Sequence, residues 1–345
     1  MAECPAAPQA RLELRGYGMV QGVGLRPRLW QLARELALTG SLANGAGCVV
    51  LDLQGERASL ERFLERLEGA LPAAARLERW QGRWLPARRP APRGLRIRAA
   101  RPAALGVALV APSLVPDRAP CADCRRELLD PADRRHRYPF VSCSVCGPRY
   151  SIATAEPFAR GRTSLARFRL CAACRREFTD PADRRFHAET ISCPACGPRL
   201  RLLDAQGGPW GQAAAAGSEP LKAALALLRE GAILAIQGVG GFQLLAVAED
   251  ATAVARLRQR KRRPHKPFAL LVDDPIRLAS LLTPTAAEQA ALADPAAPIV
   301  LLPCPEPRHA AALPGVAPGT PALGVMRPAS PLHLLLAMEF GAEGV

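Results

Sequence analysis

Between residues 121 and 196 the chain carries eight cysteines in four Cys-x-x-Cys pairs, a spacing that no ordinary apolar core accounts for. Cys121 and Cys124 are followed, after eighteen residues, by Cys143 and Cys146. The pattern recurs as Cys171 and Cys174, eighteen residues, then Cys193 and Cys196. The two blocks start fifty residues apart and match beyond their cysteines, CADCRRELLDPADRRHRYPFVSCSVCGPR lying over CAACRREFTDPADRRFHAETISCPACGPR. The segment is an internal duplication. Two such pairs separated by about fifteen to twenty residues supply four thiolates for one tetrahedral zinc ion, with no position left open for a substrate. Two structural zinc ions are therefore expected, holding together a segment too poor in apolar residues to fold alone. Disulfides would need an oxidising compartment, and a redox pair stands alone rather than in an array of four. The spacing leaves the pairing open: each copy closes its own site, or the copies exchange pairs.

The length of 345 residues has room for two or three domains. No apolar run is long enough to span a bilayer, and MAECPAAPQAR lacks the basic head and apolar core of a signal peptide, so a cytoplasmic location and no membrane partner are expected. The formal charge of +15 falls to roughly +11 once eight thiolates hold two zinc ions. The surplus is arginine in an Ala- and Pro-rich chain with only three lysines, Lys222, Lys261 and Lys266, so it argues little for nucleic acid as a partner.

From Arg11 an alternating strand runs to Gly16, then the loop Gln21-Gly22-Val23-Gly24-Leu25-Arg26 opens a helix with apolar residues at 29, 32, 33 and 36. A glycine loop at a helix start offers several N–H groups to one anion, and Arg26 adds a fork of donors. Short strands around Asn44 and at 48–53, a helix near 56–71 and strands near 79–85 and 95–98 complete a βαββαβ order. With the loop-to-Arg spacing and Asn44, residues 9–100 resemble the acylphosphatase family. The resemblance implies a ferredoxin-like domain in which loop 21–25 cradles a phosphate, Arg26 fixes its oxygens and Asn44 positions the attacking water, without a metal. Leu25 stands where that family usually has Phe.

Residues 100–120 and 204–219 read as linkers. Within each cysteine block DPADRR reads as a charged, solvated turn, and His136 and His187 as spare imidazoles in surface or supporting roles. From Leu221 the pattern is α/β: a helix to 228, a buried strand at 232–236, a glycine turn at 238–241, an apolar strand to 247, a helix at 251–259 and a strand at 269–272. Between the last two lies Lys261-Arg262-Arg263-Pro264-His265-Lys266-Pro267-Phe268, which holds two of the three lysines. A compact ammonium there suits phosphate neutralisation, against the plainer reading of a basic helix end. Residues 215–345 resemble the YrdC family, which binds ATP and makes carbamoyl-type adenylates. By that resemblance Lys261, Arg263, Lys266 and Ser330 contact the nucleotide, with Mg²⁺ accompanying ATP. Gln237 and Gln243 stand where Lys and His are expected.

The order of an acylphosphatase-like domain (9–100), a tandem zinc domain (118–200) and an incomplete YrdC-like domain (215–345) resembles the HypF family of hydrogenase-maturation carbamoyltransferases. The fold class is then α+β and multidomain. The resemblance implies that carbamoyl phosphate is hydrolysed at Arg26 and Asn44, and that the carbamate passes through the interior to be adenylated by ATP. The carbamoyl group is then handed to the C-terminal cysteine of a HypE-type acceptor by a transferase domain that this chain lacks. Two rivals follow from the residues: a zinc-stabilised RNA- or protein-binding module, and a threonylcarbamoyl-adenylate synthase for tRNA modification. The first would need exposed aromatics between the cysteine pairs; the second gives the first domain no use.

Overall fold

The structure, a computed structural model, describes residues 8–100, 113–210, 220–238 and 240–341. Most of the first expected linker (101–112), the later part of the second (211–219), Cys4 and Val239 of the glycine turn lie outside the described residues. The chain divides into two compact units, one of Met1–Asp117 with Ser142–Gly197, the other of Arg118–Val141 with Pro198–Val345.

The first unit is built on a five-stranded sheet. Its elements run β1 (Gln9–Met19), α1 (Leu25–Glu35), β2 (Thr39–Gly45), β3 (Cys48–Glu56), α2 (Arg57–Leu67), β4 (Arg76–Pro86) and β5 (Leu95–Ile97), with sheet order β4-β1-β3-β2-β5. β1 pairs antiparallel with β3 and β4, and β2 pairs antiparallel with β3. This is the expected βαββαβ weave, with β5 added in parallel beside β2. Alternation decides the faces. Leu12 and Leu14 of β1 are buried, while Arg11, Glu13 and Arg15 point the other way. On that polar face Asp52, directly across from Glu13, accepts from Arg11 Nε at 2.7 Å and from Arg88 Nη2 at 2.6 Å. α1 lays Leu25, Leu29, Leu32 and Ala33 on the apolar face, and α2 adds Leu60, Phe63 and Leu67. Leu51, in the middle of β3, is fully buried in this core. Leu51→Ala is expected to cost about 2–5 kcal/mol, from lost transfer energy and the cavity left behind, read as a fall in the denaturation midpoint.

The second copy of the cysteine block is bound into this unit. Its helix α4 (Ala172–Thr179), like α3 (Ala122–Leu129) in the first copy, begins one residue after the opening cysteine. Phe186 joins the sheet's core and meets the ring of Trp30 edge-on at 5.3 Å. In both copies Asp130 and Asp180 accept from the N–H two residues on at 2.9 Å, making the expected turn. The solvated reading of DPADRR is corrected at its last residue, however: Arg135 and Arg185 are buried. Arg185 Nε donates to the Ser142 carbonyl at 3.0 Å, so the guanidinium satisfies backbone acceptors that no helix or sheet takes up.

The second unit continues with α5 (Pro220–Arg229), β6 (Leu234–Gly238), β7 (Gly241–Leu245), α6 (Ala251–Lys261), β8 (Ala269–Leu271), α7 (Pro275–Leu281), α8 (Ala286–Leu292), β9 (Val300–Pro303), α9 (Glu306–Ala312), β10 (Ala322–Met326) and α10 (Pro331–Gly341). β10 lies between β8, to which it is parallel, and β9, to which it is antiparallel. Leu302, Leu323 and Val325 of this sheet form a core with Val254, Leu278 and Leu292. The expectation of a buried strand at 232–236 is corrected. β6 and β7 pair with each other as a two-stranded sheet, and of their residues Ile236 is buried while Phe242 is 71% exposed. An apolar run shows that a strand can be covered, not that a covering layer is present.

Candidate functional site

The first unit contains a small cleft. Its walls include Gly22, Gly24, Leu25, Arg26 and Asn44 from the sheet domain and Ser144, Arg149, Phe158, His187 and Glu189 from the cysteine blocks and the segment joining them. Local chemistry shapes the loop at its mouth. Gly22 and Gly24 adopt φ of 76° and 78°, the left-handed region that favours glycine. No side chain caps α1, so its first-turn N–H groups, which an α-helix cannot satisfy internally, are left for another acceptor. The positive end of the helix dipole adds to the attraction for an anion.

Arg26 is buried, and its Nη2 donates to Glu189 Oε1 at 2.8 Å. The second Glu189 oxygen accepts from the Arg160 N–H at 2.9 Å, and Arg160 Nη1 donates to the Glu189 carbonyl at 2.9 Å. The carboxylate is thus held at both oxygens, and the residue's backbone carbonyl by a third bond. Asn44 Nδ2 donates to the Phe158 carbonyl at 2.7 Å. That bond fixes the amide's orientation, since a carbonyl can only accept, and it leaves the Asn44 oxygen as the end able to hold a water. Gln21 is consumed structurally. Its Nε2 donates to the carbonyls of Gly45 (2.8 Å) and Cys48 (3.1 Å), and its Oε1 accepts from the Phe158 N–H (2.7 Å). Neither Gln21 nor Val23 lines the cleft.

Arg149 is buried beneath the loop. Its Nη2 donates to the carbonyls of Cys143 and Ser144, both at 2.9 Å, and its Nε to that of Gly22. Its counterpart in the second copy, Arg199, is exposed. His187, read as a spare imidazole in a surface or supporting role, lines the cleft. Burial first, then the charge of Arg26, outweigh Glu189 and push its pKa down to about 4, so the imidazole is neutral at pH 7. Sequence reasoning missed Arg149, Phe158, Arg160 and Glu189. The only signal available was divergence inside the duplication, where His187 and Glu189 replace Arg137 and Pro139 of the first copy.

The eight cysteines form two tetrads. Cys121, Cys124, Cys143 and Cys146 bring their ligand atoms within 4.8 Å of one another, and so do Cys171, Cys174, Cys193 and Cys196. Each copy therefore gathers its own four thiols, which closes the question of pairing. A tetrahedron with metal–sulfur distances of about 2.3 Å has edges of about 3.8 Å. The Sγ···Sγ separations are 3.6 Å for Cys143–Cys146, 3.8 Å for Cys171–Cys193, 3.7 Å for Cys193–Cys196 and 3.6 Å for Cys174–Cys196. They fit zinc edges and are far from a disulfide, whose sulfurs are about 2.05 Å apart. The N–H of Cys174 and the surrounding thiols pull the Cys171 thiol down to about 6, towards the thiolate a metal needs.

In the second unit the expected nucleotide residues are spread out. Lys261 ends α6 and, like Lys266, is exposed. Arg263 Nη2 donates to the Pro267 carbonyl at 3.1 Å, and Arg258 Nη1 donates to the carbonyls of Arg263 (2.8 Å) and Lys266 (3.2 Å), which folds the basic segment back on α6. Ser330 Oγ accepts from the His333 N–H at 3.2 Å at the start of α10. β8 and β10 are parallel, so Lys266 before β8 and Ser330 after β10 fall at opposite ends of that pair. Buried His333 meets Gln243, its Nε2 2.5 Å from Oε1.

Family profiles match three segments: Acylphosphatase over residues 12–93, HypF finger over 121–153 and 170–203, and Telomere recombination, the Sua5/YciO/YrdC profile, over 226–343. Carbamoyltransferase HypF2 of Cupriavidus necator is 43% identical over 344 residues, covering 98% of this chain and 41% of that protein. Carbamoyltransferase HypF of Synechocystis is 43% identical over 319 residues, 92% of this chain and 40% of that protein. A crystal structure of full-length HypF in a phosphate- and nucleotide-bound form superposes with a TM-score of 0.86 at 34% identity, over 98% of this chain and 42% of that one. The chain spans about two fifths of the length of these relatives. With three profiles in one order and near-complete coverage of its own length, the chain belongs to the HypF family.

Proposed function

We propose that this chain performs the early steps of a carbamoyl transfer: hydrolysis of carbamoyl phosphate in the first unit and adenylation of the resulting carbamate by ATP in the second. The observation that carries the reading is the convergence of Arg26, Asn44 and the Gly22–Gly24 loop on one cleft. The phosphoryl oxygens lie against the α1 amides and the free donors of Arg26. A water on the Asn44 carboxamide oxygen attacks phosphorus in line, the bond from phosphorus to the carbamoyl oxygen breaks, and carbamate and phosphate leave. The protein contributes positioning and electrostatic stabilisation, with no covalent intermediate. Zinc in the two tetrads holds the fold and takes no part in the step.

In the second unit the carbamate oxygen attacks the α-phosphorus of ATP and pyrophosphate leaves. Lys261, Arg263 and Lys266 would supply positive charge to the phosphates and Ser330 a hydroxyl, and Mg²⁺ brought with ATP would offset charge on the pyrophosphate. Lys261→Ala is expected to weaken ATP binding about tenfold, roughly 1.4 kcal/mol. Calorimetric affinity equal to wild type would remove Lys261 from the site. A cysteine thiol of a HypE-type acceptor then takes the carbamoyl group from the adenylate, and AMP leaves. Zinc-bound thiolates that must stay reduced, together with the use of ATP, favour the cytoplasm as the place of this work.

The deciding experiment supplies carbamoyl phosphate and ATP to the purified chain and follows phosphate and pyrophosphate separately. Both products are expected. Phosphate alone would restrict the reading to the first unit, and neither product from zinc-loaded protein would overturn it.

A further inference from the structure

The acylphosphatase chemistry needs Arg26, Asn44 and an amide loop. It does not need a buried glutamate beside the phosphate anchor, because a second anion there opposes a phosphate dianion. Yet Glu189 lines the cleft, bonded to Arg26 at 2.8 Å and to the Arg160 N–H at 2.9 Å. A carboxylate has roughly four lone-pair sites, and these bonds use two. Glu189 lines the cleft beside a neutral His187, and Arg26 is the cleft-lining cation that its carboxylate bonds.

Resting on the hydrolase reading above, we infer that Glu189 is the specificity-determining residue of this cleft, accepting an N–H of the substrate's carbamoyl group while Arg26 and the loop amides take the phosphate. The chemistry separates the two ends of the ligand. The phosphoryl end is a pure acceptor and is repelled by a carboxylate. The carbamoyl end carries an NH₂ with two donors, which a carboxylate binds by a charge-assisted hydrogen bond. Acetyl phosphate has the same phosphoryl group and a methyl in place of the NH₂. A cleft with a buried acceptor rejects that analogue, because the acceptor would be covered and left unpaired. The second cysteine block is the source of this residue. Position 139, its equivalent in the first block, is proline, so the duplication retained its scaffold and diverged at the residue that reaches the cleft.

The test compares kcat/KM for carbamoyl and acetyl phosphate in wild type, Glu189→Gln, Glu189→Ala and Glu189→Asp, each checked for two bound zinc ions. Wild type is expected to prefer carbamoyl phosphate by tenfold or more. In the Gln and Ala variants both rates fall, because Arg26 loses its partner, but the preference itself falls about tenfold, and Asp restores part of it. A role confined to holding Arg26 lowers both substrates by the same factor, so an unchanged ratio overturns the inference. A wild-type chain that hydrolyses both substrates equally well also overturns it, while leaving the hydrolase reading intact. Wild type inactive on both substrates sinks the hydrolase reading itself.

Discussion

Arg26→Ala is expected to lower carbamoyl phosphate hydrolysis by about 10²–10³-fold, the loss typical of removing one preorganised donor to developing charge. Two effects act together. The fork that meets the phosphoryl oxygens is gone, and the Glu189 carboxylate it neutralised stays buried. Losing one partner of a buried pair costs about 3–5 kcal/mol, because the survivor keeps its charge without compensation. The double variant Arg26→Ala/Glu189→Ala separates the two: stability is expected to recover while hydrolysis does not. Arg26→Lys, a point charge without the planar fork, should fall between wild type and alanine. Phosphate release within threefold of wild type from a folded, zinc-loaded Arg26→Ala protein would contradict the assignment.

Removing zinc is expected to have the largest effect on the fold. Structural zinc contributes about 10–16 kcal/mol to small metal-held segments. The second block has little else: its local apolar cluster consists of cysteines with Ala188, Ile191 and a few half-buried neighbours. Cys174→Ala should therefore lower the zinc content from two ions per chain to one, measured by mass spectrometry of the native protein. It should also abolish hydrogen-exchange protection around residues 171–196. Because His187 and Glu189 lie inside that segment, carbamoyl phosphate turnover should drop with it, although neither residue is a zinc ligand. Retention of two ions would show that the tetrad tolerates a substitute ligand.

What could be read from the sequence was what is local. The cysteine pairs announced two tetrahedral sites because each pair sits in one turn, but which pairs share a metal depends on the path of eighteen intervening residues. The sheet was legible because alternation at Leu12 and Leu14, and helical spacing at Leu29, Leu32 and Ala33, record which face meets the core. Arg26 and Asn44 stood out through their spacing from a glycine loop. Glu189 and His187 did not, since no periodicity links a residue to a partner over a hundred positions away. Arg135 and Arg185 misled for a related reason: a guanidinium buried against carbonyls looks, in one dimension, like any surface charge. The exposed faces of β6 and β7 show the same limit for apolar residues.

The span between Arg26 and Glu189 also sets a clock. The two are 163 residues apart in the chain. At synthesis rates of about 5–20 residues per second, the glutamate leaves the ribosome roughly ten to thirty seconds after the arginine. During that interval the nascent sheet domain, with its contiguous core, can fold around a loop whose arginine has no partner. The mouth of the cleft is completed only when the second cysteine block has emerged and captured its metal, so maturation of the cleft is timed by translation and metal supply, not by folding of the domain that bears the arginine.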